Sequence, residues 1–111
     1  MEERYQQGML REDALEGKVI AITGGGTGLG RSMGEYFLKL GAKLAICGRR
    51  EEKLLEAKKE MEESCGGEVF TASCDVRNYN EVEAFLSGIL EHYGHVDVLL
   101  NNAAGNFISL I

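Results

Sequence analysis

The residues best suited to chemistry are Thr23-Gly24-Gly25-Gly26-Thr27-Gly28-Leu29-Gly30. Glycine in such a run permits positive φ and lets a ligand approach the backbone closely. An apolar run, Val19-Ile20-Ala21-Ile22, precedes it, and Leu29, Met33, Tyr36, Phe37 and Leu40 follow at helical spacing. The glycines therefore sit at a strand-to-helix turn. The helix starting there aims free N–H groups and the positive end of its dipole at the turn. That combination is an anion site, suited to a pyrophosphate. A merely flexible glycine turn would not need strand, glycines and helix in this order.

Other loops carry chemical groups as well: Gly48-Arg49-Arg50, Cys74-Asp75-Val76-Arg77, and Asn101 through Phe107. The elements that must position them are read from periodicity. Strands are expected over 18–23, 42–47, 68–73 and 96–101. Helices are expected over 29–40, 51–64 and from Asn78 to Tyr93, with Gly41, Gly66-Gly67 and Gly94 as stops. Leu54, Ala57, Met61 and Cys65 make one stripe, and Val82, Phe85, Leu86, Ile89, Leu90 and Tyr93 another. Asn78 and Glu81 have the spacing of a capping box. The order β-α-β-α-β-α-β predicts an α/β fold, the first half of a Rossmann-type doubly wound parallel sheet with strand order 3-2-1-4. The less apolar third strand suits an edge. The four loops then gather at the carboxyl ends of the strands, around the topological switch between strands one and four. Residues 1–16 read as an N-terminal arm, 17–111 as the domain, and 102–111 as a loop.

The chain has 111 residues, 44% hydrophobic and 27% charged, with a formal net charge of -6. That is globular composition without the basic face that nucleic acid requires. No apolar stretch is long enough to span a bilayer, and the acid-rich start, Met1-Glu2-Glu3-Arg4, resembles neither a secretory signal nor a transit peptide. Cys47, Cys65 and Cys74 are odd in number and show no metal-ligand spacing, so they read as reduced thiols in a cytoplasmic setting, with Cys47 buried at a strand end. No metal site, nucleic-acid partner or membrane contact is expected.

Several phosphate-binding motifs compete for the glycine turn. Gly-x-Gly-x-x-Gly fails in strict form, since it needs a small residue at Leu29. The ATP/GTP phosphate loop nearly fits Gly25 through Ser32, but Arg31 stands in place of its lysine. No strand ends in an aspartate to hold magnesium, and the fourth ends in Asn101. Thr23, Gly24, Gly28 and Gly30 meet Thr-Gly-x-x-x-Gly-x-Gly, and Asn101-Asn102-Ala103-Ala104-Gly105 follows strand four. With Asp75-Val76 after strand three, this pattern resembles the short-chain dehydrogenase/reductase family from about Gly17 onward. The resemblance implies a nicotinamide dinucleotide laid over the strand ends. Thr23, Gly24, Gly25, Gly26, Thr27, Gly28, Leu29, Gly30, Arg49, Arg50, Asp75, Val76, Asn102, Ala103 and Gly105 are its expected contacts. An acid after strand two would favour NAD, whereas Gly48-Arg49-Arg50 offers guanidinium to a 2′-phosphate, so NADP(H) is the expected cofactor. Asp75 would accept from the adenine amino group, or else cap the turn before the third helix.

The continuation Asn106-Phe107, with Cys74-Asp75-Val76-Arg77, resembles the 2,4-dienoyl-CoA reductase branch. That implies NADPH-dependent reduction of an unsaturated fatty acyl-CoA by a homo-oligomeric full-length enzyme. Arg77 would then contact the acyl-CoA, or remain a solvated loop charge. Phe107 would wall the acyl part, or pack in the core. Family members run to roughly twice this length, and their catalytic tyrosine and lysine lie beyond strand four. None of Tyr5, Tyr36, Tyr79 or Tyr93 has a lysine four residues on, so no catalytic residue is assigned here. His92 and His95 read as surface residues. The chain is therefore expected to be the cofactor-binding part of a reductase, inactive alone. The alternative is a non-catalytic nucleotide-binding half-domain or interaction fragment. Strand four, with Val98, Leu99 and Leu100, is expected to form an uncovered apolar edge prone to self-association.

Overall fold

The structure is a computed structural model that describes residues 13–26 and 28–102 and the backbone of 107–110. Its elements are β1 (Val19–Thr23), α1 (Gly28–Lys39), β2 (Lys43–Gly48), α2 (Glu51–Cys65), β3 (Val69–Ser73), α3 (Tyr79–Tyr93), β4 (Val98–Asn101) and β5 (Phe107–Leu110). The sheet order is β3-β2-β1-β4-β5. The first four strands are parallel, in the predicted order 3-2-1-4 with a helix between each successive pair.

Alternation along the strands divides the core into two layers. Ile20, Ile22, Leu44 and Ile46 face Leu38, Leu54, Ala57 and Met61 from α1 and α2. Val19, Ala21, Ala45 and Cys47 face Phe85 and Ile89 from α3. All five β1 residues are buried, because helices cover both faces of the central strand. Asn78 caps α3 by accepting from the N–H groups of Asn80 (3.0 Å) and Glu81 (3.3 Å). The reciprocal half of the expected capping box is not made. Glu81 instead accepts from the backbone N–H of Asp75 at 2.9 Å, anchoring the loop after β3.

β3 is an edge, as expected from its mixed composition. A pair of side chains from α2 blunts it. Lys58 donates to the Val69 carbonyl (2.5 Å) and to Glu62 (3.1 Å), while Glu62 accepts the Val69 N–H at 2.9 Å. The first residue of the edge thus offers no free backbone pair to another chain.

Four expectations are corrected. The segment after β4 is not loop throughout, because Phe107–Leu110 pairs antiparallel with β4, Asn101 opposite Phe107 and Val98 opposite Leu110. The backbone groups of β4 on that side need partners, and the returning chain supplies them. Strand four is accordingly not the open edge that was expected. Leu29 and Tyr36, placed on the apolar stripe of α1, are 59% and 50% exposed. The buried side of that helix is taken by Gly30, Gly34 and Leu38, and the two glycines let the helix come close to the sheet. Leu90 on α3 is likewise half exposed.

Candidate nucleotide-binding site

The site is built on the carboxyl ends of β1, β2 and β3. Two bonds across the switch fix the glycine turn. The Thr23 hydroxyl donates to Asn101 Oδ1 at 2.8 Å, and Asn102 Nδ2 donates to the Gly24 carbonyl at 3.4 Å. On its other side the Gly24 N–H donates to the Cys47 carbonyl at 2.8 Å. Thr23 is buried, so its hydroxyl serves as a post between strands.

The glycines divide the work. A Cβ on Gly30 would collide with the Gly24 carbonyl oxygen and stand 2.9 Å from Asn102 Nδ2, so helix and turn touch there. Gly25 packs with equal closeness on Ile46. Gly28 is the opposite case: its φ is +59°, and a Cβ would meet nothing within 4 Å among the described residues. The backbone is thus left-handed at the first residue of α1, and the N–H groups of a first helical turn have no partner within the helix. This open, donor-lined cradle fits a pyrophosphate.

Two cavities flank the cradle. One, of about 340 Å³, is lined by Gly24, Gly48, Arg49, Cys74, Asp75, Val76 and Arg77. The other, of about 280 Å³, is lined by Gly24, Gly26, Cys47, Gly48, Arg49, Arg50, Lys53 and Leu54. Gly24, Gly48 and Arg49 belong to both, so the two form one surface with Arg49 at its waist. Arg50 is exposed and donates to Glu52 at 3.2 Å. Lys53 was not singled out from sequence, where it looks like any polar residue of a charged helix. Its place one turn after Arg49-Arg50 was the available signal.

Asp75 and Arg77 face each other. Asp75 Oδ1 accepts from the Arg77 N–H (3.0 Å) and Nε (3.1 Å), and Oδ2 accepts from Nη2 (3.0 Å). The Arg77 bonds hold the Asp75 carboxyl down at about 2, with Arg49 adding a smaller push the same way. The Asp75 carbonyl accepts the Asn78 N–H at 2.9 Å, so this residue also shapes the turn before α3. Burial pushes the Cys47 and Cys74 thiols up, keeping them protonated beneath the site.

Thr27, Ala103 and Gly105 lie outside the described residues, as does the side chain of Phe107, whose backbone sits beside the end of β4. Arg31, which stands where a phosphate loop requires lysine, turns away from the glycines to Glu60 on α2 at 2.7 Å. Tyr93 donates to the Leu44 carbonyl at 3.0 Å, at the opposite end of the strands, and burial followed by the nearby Glu68 pushes its pKa up. Tyr79 bonds Glu83 on the outside of α3, and the His92 and His95 side chains are both exposed. Among the described residues no group of three or more His, Cys, Asp or Glu could hold a metal, and no helix is long and apolar enough to cross a membrane.

The sequence profile of the short chain dehydrogenase family matches residues 18–109. The chain belongs to that family. Short-chain dehydrogenases are oxidoreductases, and solved members share this fold. The chain superimposes on a citronellol catabolism dehydrogenase from Pseudomonas aeruginosa with a TM-score of 0.79 and 34% identity, covering 85% of this chain and 39% of the other. An L-sorbose reductase from Gluconobacter frateurii, solved with NADPH and L-sorbose, gives 0.78 and 32%, over 83% of this chain and 35% of that one. A probable 2,4-dienoyl-CoA reductase from Caenorhabditis elegans is 43% identical over 101 residues, 90% of this chain and 33% of the relative. The chain thus spans about a third of the length of such short-chain dehydrogenase relatives, which are longer than the twofold expected from the family resemblance.

Proposed function

We propose that this chain is the cofactor-binding portion of an NADPH-dependent short-chain oxidoreductase whose substrate is an unsaturated fatty acyl-CoA. The observation that carries the cofactor reading is the position of Arg49, shared between both cavities beside the glycine turn. Arg50 and Lys53 line the second cavity with it, and the first acid after strand two, Glu51, is not among its lining residues. Cations are disfavoured at a helix N-terminus, so their gathering at the start of α2 suits a ligand bearing a dianionic phosphate. The sorbose reductase solved with NADPH is consistent with that cofactor, and the resemblance to a probable 2,4-dienoyl-CoA reductase supports the substrate class.

In this reading the bound nicotinamide supplies hydride. The first turn of α1, opening at the left-handed Gly28, holds the pyrophosphate. Arg49 grips the 2′-phosphate, Asp75 accepts from the adenine amino group, and Val76 lines the adenine side. Asn102 holds the Gly24 carbonyl and so keeps the turn open. Arg77 offers charge to the anionic CoA, and Phe107 lies on the strand next to the end of β4. The tyrosine-lysine pair that family members use for proton transfer is not among these 111 residues.

Titration calorimetry of the chain with NADPH and NADH tests the cofactor assignment. Arg49→Ala should weaken NADPH by about 1.5–3 kcal/mol, the range for a hydrogen bond to a charged group, and leave NADH nearly unchanged. Equal losses for both nucleotides would remove the 2′-phosphate from Arg49.

A further inference from the structure

The Asp75–Arg77 pair assigns Arg77 a task that the substrate reading does not contain. We propose that Arg77 is a positioning residue for the nucleobase, holding the Asp75 carboxylate in one orientation with a single acceptor position left for the adenine amino group. The inference rests on the reading above in which Asp75 accepts from adenine.

A carboxylate has about four acceptor positions. Arg77 fills two on Oδ1, with its backbone N–H and Nε, and one on Oδ2, with Nη2. The remaining position is on Oδ2. The two bonds from the guanidinium form a fork, which fixes the plane of the carboxylate as well as its place. Glu81 holds the same residue from its backbone side by accepting the Asp75 N–H at 2.9 Å. Asp75 and Arg77 both line the cavity that contains Gly24 and Arg49, so the oriented carboxylate belongs to the nucleotide surface. The Arg77 side chain is 76% exposed against 29% for Asp75, which leaves the guanidinium open to solvent while the carboxylate is partly enclosed. A free Asp75 side chain would have to be ordered when the nucleotide binds. Here that order is already in place, and the amino group meets one acceptor instead of a rotating pair.

A corollary concerns the acyl-CoA. If a CoA phosphate draws Arg77 away, it removes the brace from Asp75, so acyl-CoA binding would weaken the nucleotide through Asp75. Linkage makes this reciprocal.

The test compares NADPH with its hypoxanthine analogue, which lacks the 6-amino group, by titration calorimetry on the 111-residue chain. Backbone amide spectra would establish that each variant is folded. Asp75→Asn should weaken NADPH and spare the analogue. Arg77→Gln should weaken NADPH about fivefold, within the range of coupling between neighbouring groups, and also spare the analogue. Arg77→Lys, which keeps the charge and loses the fork, should fall between. If Asp75→Asn behaves as expected but Arg77→Gln leaves NADPH unchanged, the adenine reading stands and the positioning role is wrong. If Arg77→Gln weakens both nucleotides equally, Arg77 acts elsewhere and the proposal falls. If Asp75→Asn leaves NADPH unchanged, or the wild-type chain binds neither nucleotide, the underlying reading fails as well.

Discussion

At the scale of single residues, two glycines of the same turn should respond to substitution in opposite ways. Gly28 is left-handed, with open space among the described residues where a Cβ would project. Gly28→Val should leave the strands formed, at a strain cost of about 1–2 kcal/mol, and abolish nucleotide binding by filling the cradle. Gly30 has no space at all, since a Cβ there would run into the Gly24 carbonyl. Gly30→Ala should therefore lower thermal stability before any ligand is added. Calorimetric titration and thermal denaturation of the two variants would separate these effects. Undiminished binding by Gly28→Val would rule out this turn as the pyrophosphate site. The motif made the turn legible in the sequence, because glycine at a strand-to-helix junction has few structural reasons to recur. Neither the role of Lys53 nor the fork between Asp75 and Arg77 was legible. Both depend on where a side chain folds back within a loop or first helical turn, and spacing alone does not encode that.

At the scale of elements, α3 illustrates what a helix needs here. Phe85 and Ile89 supply its buried face, and Asn78 supplies its start. Phe85→Ala should cost about 3–5 kcal/mol, and Asn78→Ala about 1 kcal/mol, read as shifts in urea midpoint. The clamp on β3 should give the chain an acid-sensitive component. Partial burial pushes the Glu62 carboxyl up, but the Val69 N–H and the Lys58 ammonium outweigh it, so its pKa lies below the ordinary value. A depressed carboxyl stabilises the fold above its unfolded pKa and loses that contribution as pH falls through the folded value. Wild type should therefore lose stability faster than Glu62→Gln as pH drops from neutral into the carboxylate range. Parallel slopes for the two proteins would exclude the clamp. Periodicity exposed these helices and strands because their apolar stripes face a two-layer core. It misplaced Leu29 and Tyr36 because Gly30 and Gly34, together with Leu38, took the buried side of α1. It missed β5 because pairing with β4 is a long-range choice: four residues against an edge carry no pattern of their own.

At the scale of the whole molecule, the order 3-2-1-4 follows from the alternation of elements and the handedness of crossovers, and it was legible for that reason. The behaviour of the free chain depends on β5. With β5 on its outer side, β4 has backbone partners along its length. Removing residues 107–111 should uncover Val98–Asn101 and drive self-association, visible in sedimentation velocity as a concentration-dependent shift. A truncated chain that sediments unchanged would show that β5 guards nothing. The 111-residue chain itself should show no turnover of NADPH with a dienoyl thioester, since a positioned acid or base contributes about 10²–10⁴-fold and no tyrosine-lysine pair is present.

The bonds from Thr23 to Asn101 and from Asn102 to Gly24 each close a span of 78 residues. A nascent chain emerging from the ribosome can lay β2 against β1 early, because only a short excursion separates them, and can add β3 next. The glycine turn waits. Its two ties form only after the Asn101-Asn102 dipeptide has left the exit tunnel, so the cradle is finished last although its residues are made almost first. During that interval the central strand of the sheet has one neighbour instead of two. Refolding of the whole chain keeps the difference in loop length, so pulsed hydrogen exchange should find the amides of β1 that face β2 protected before those that face β4.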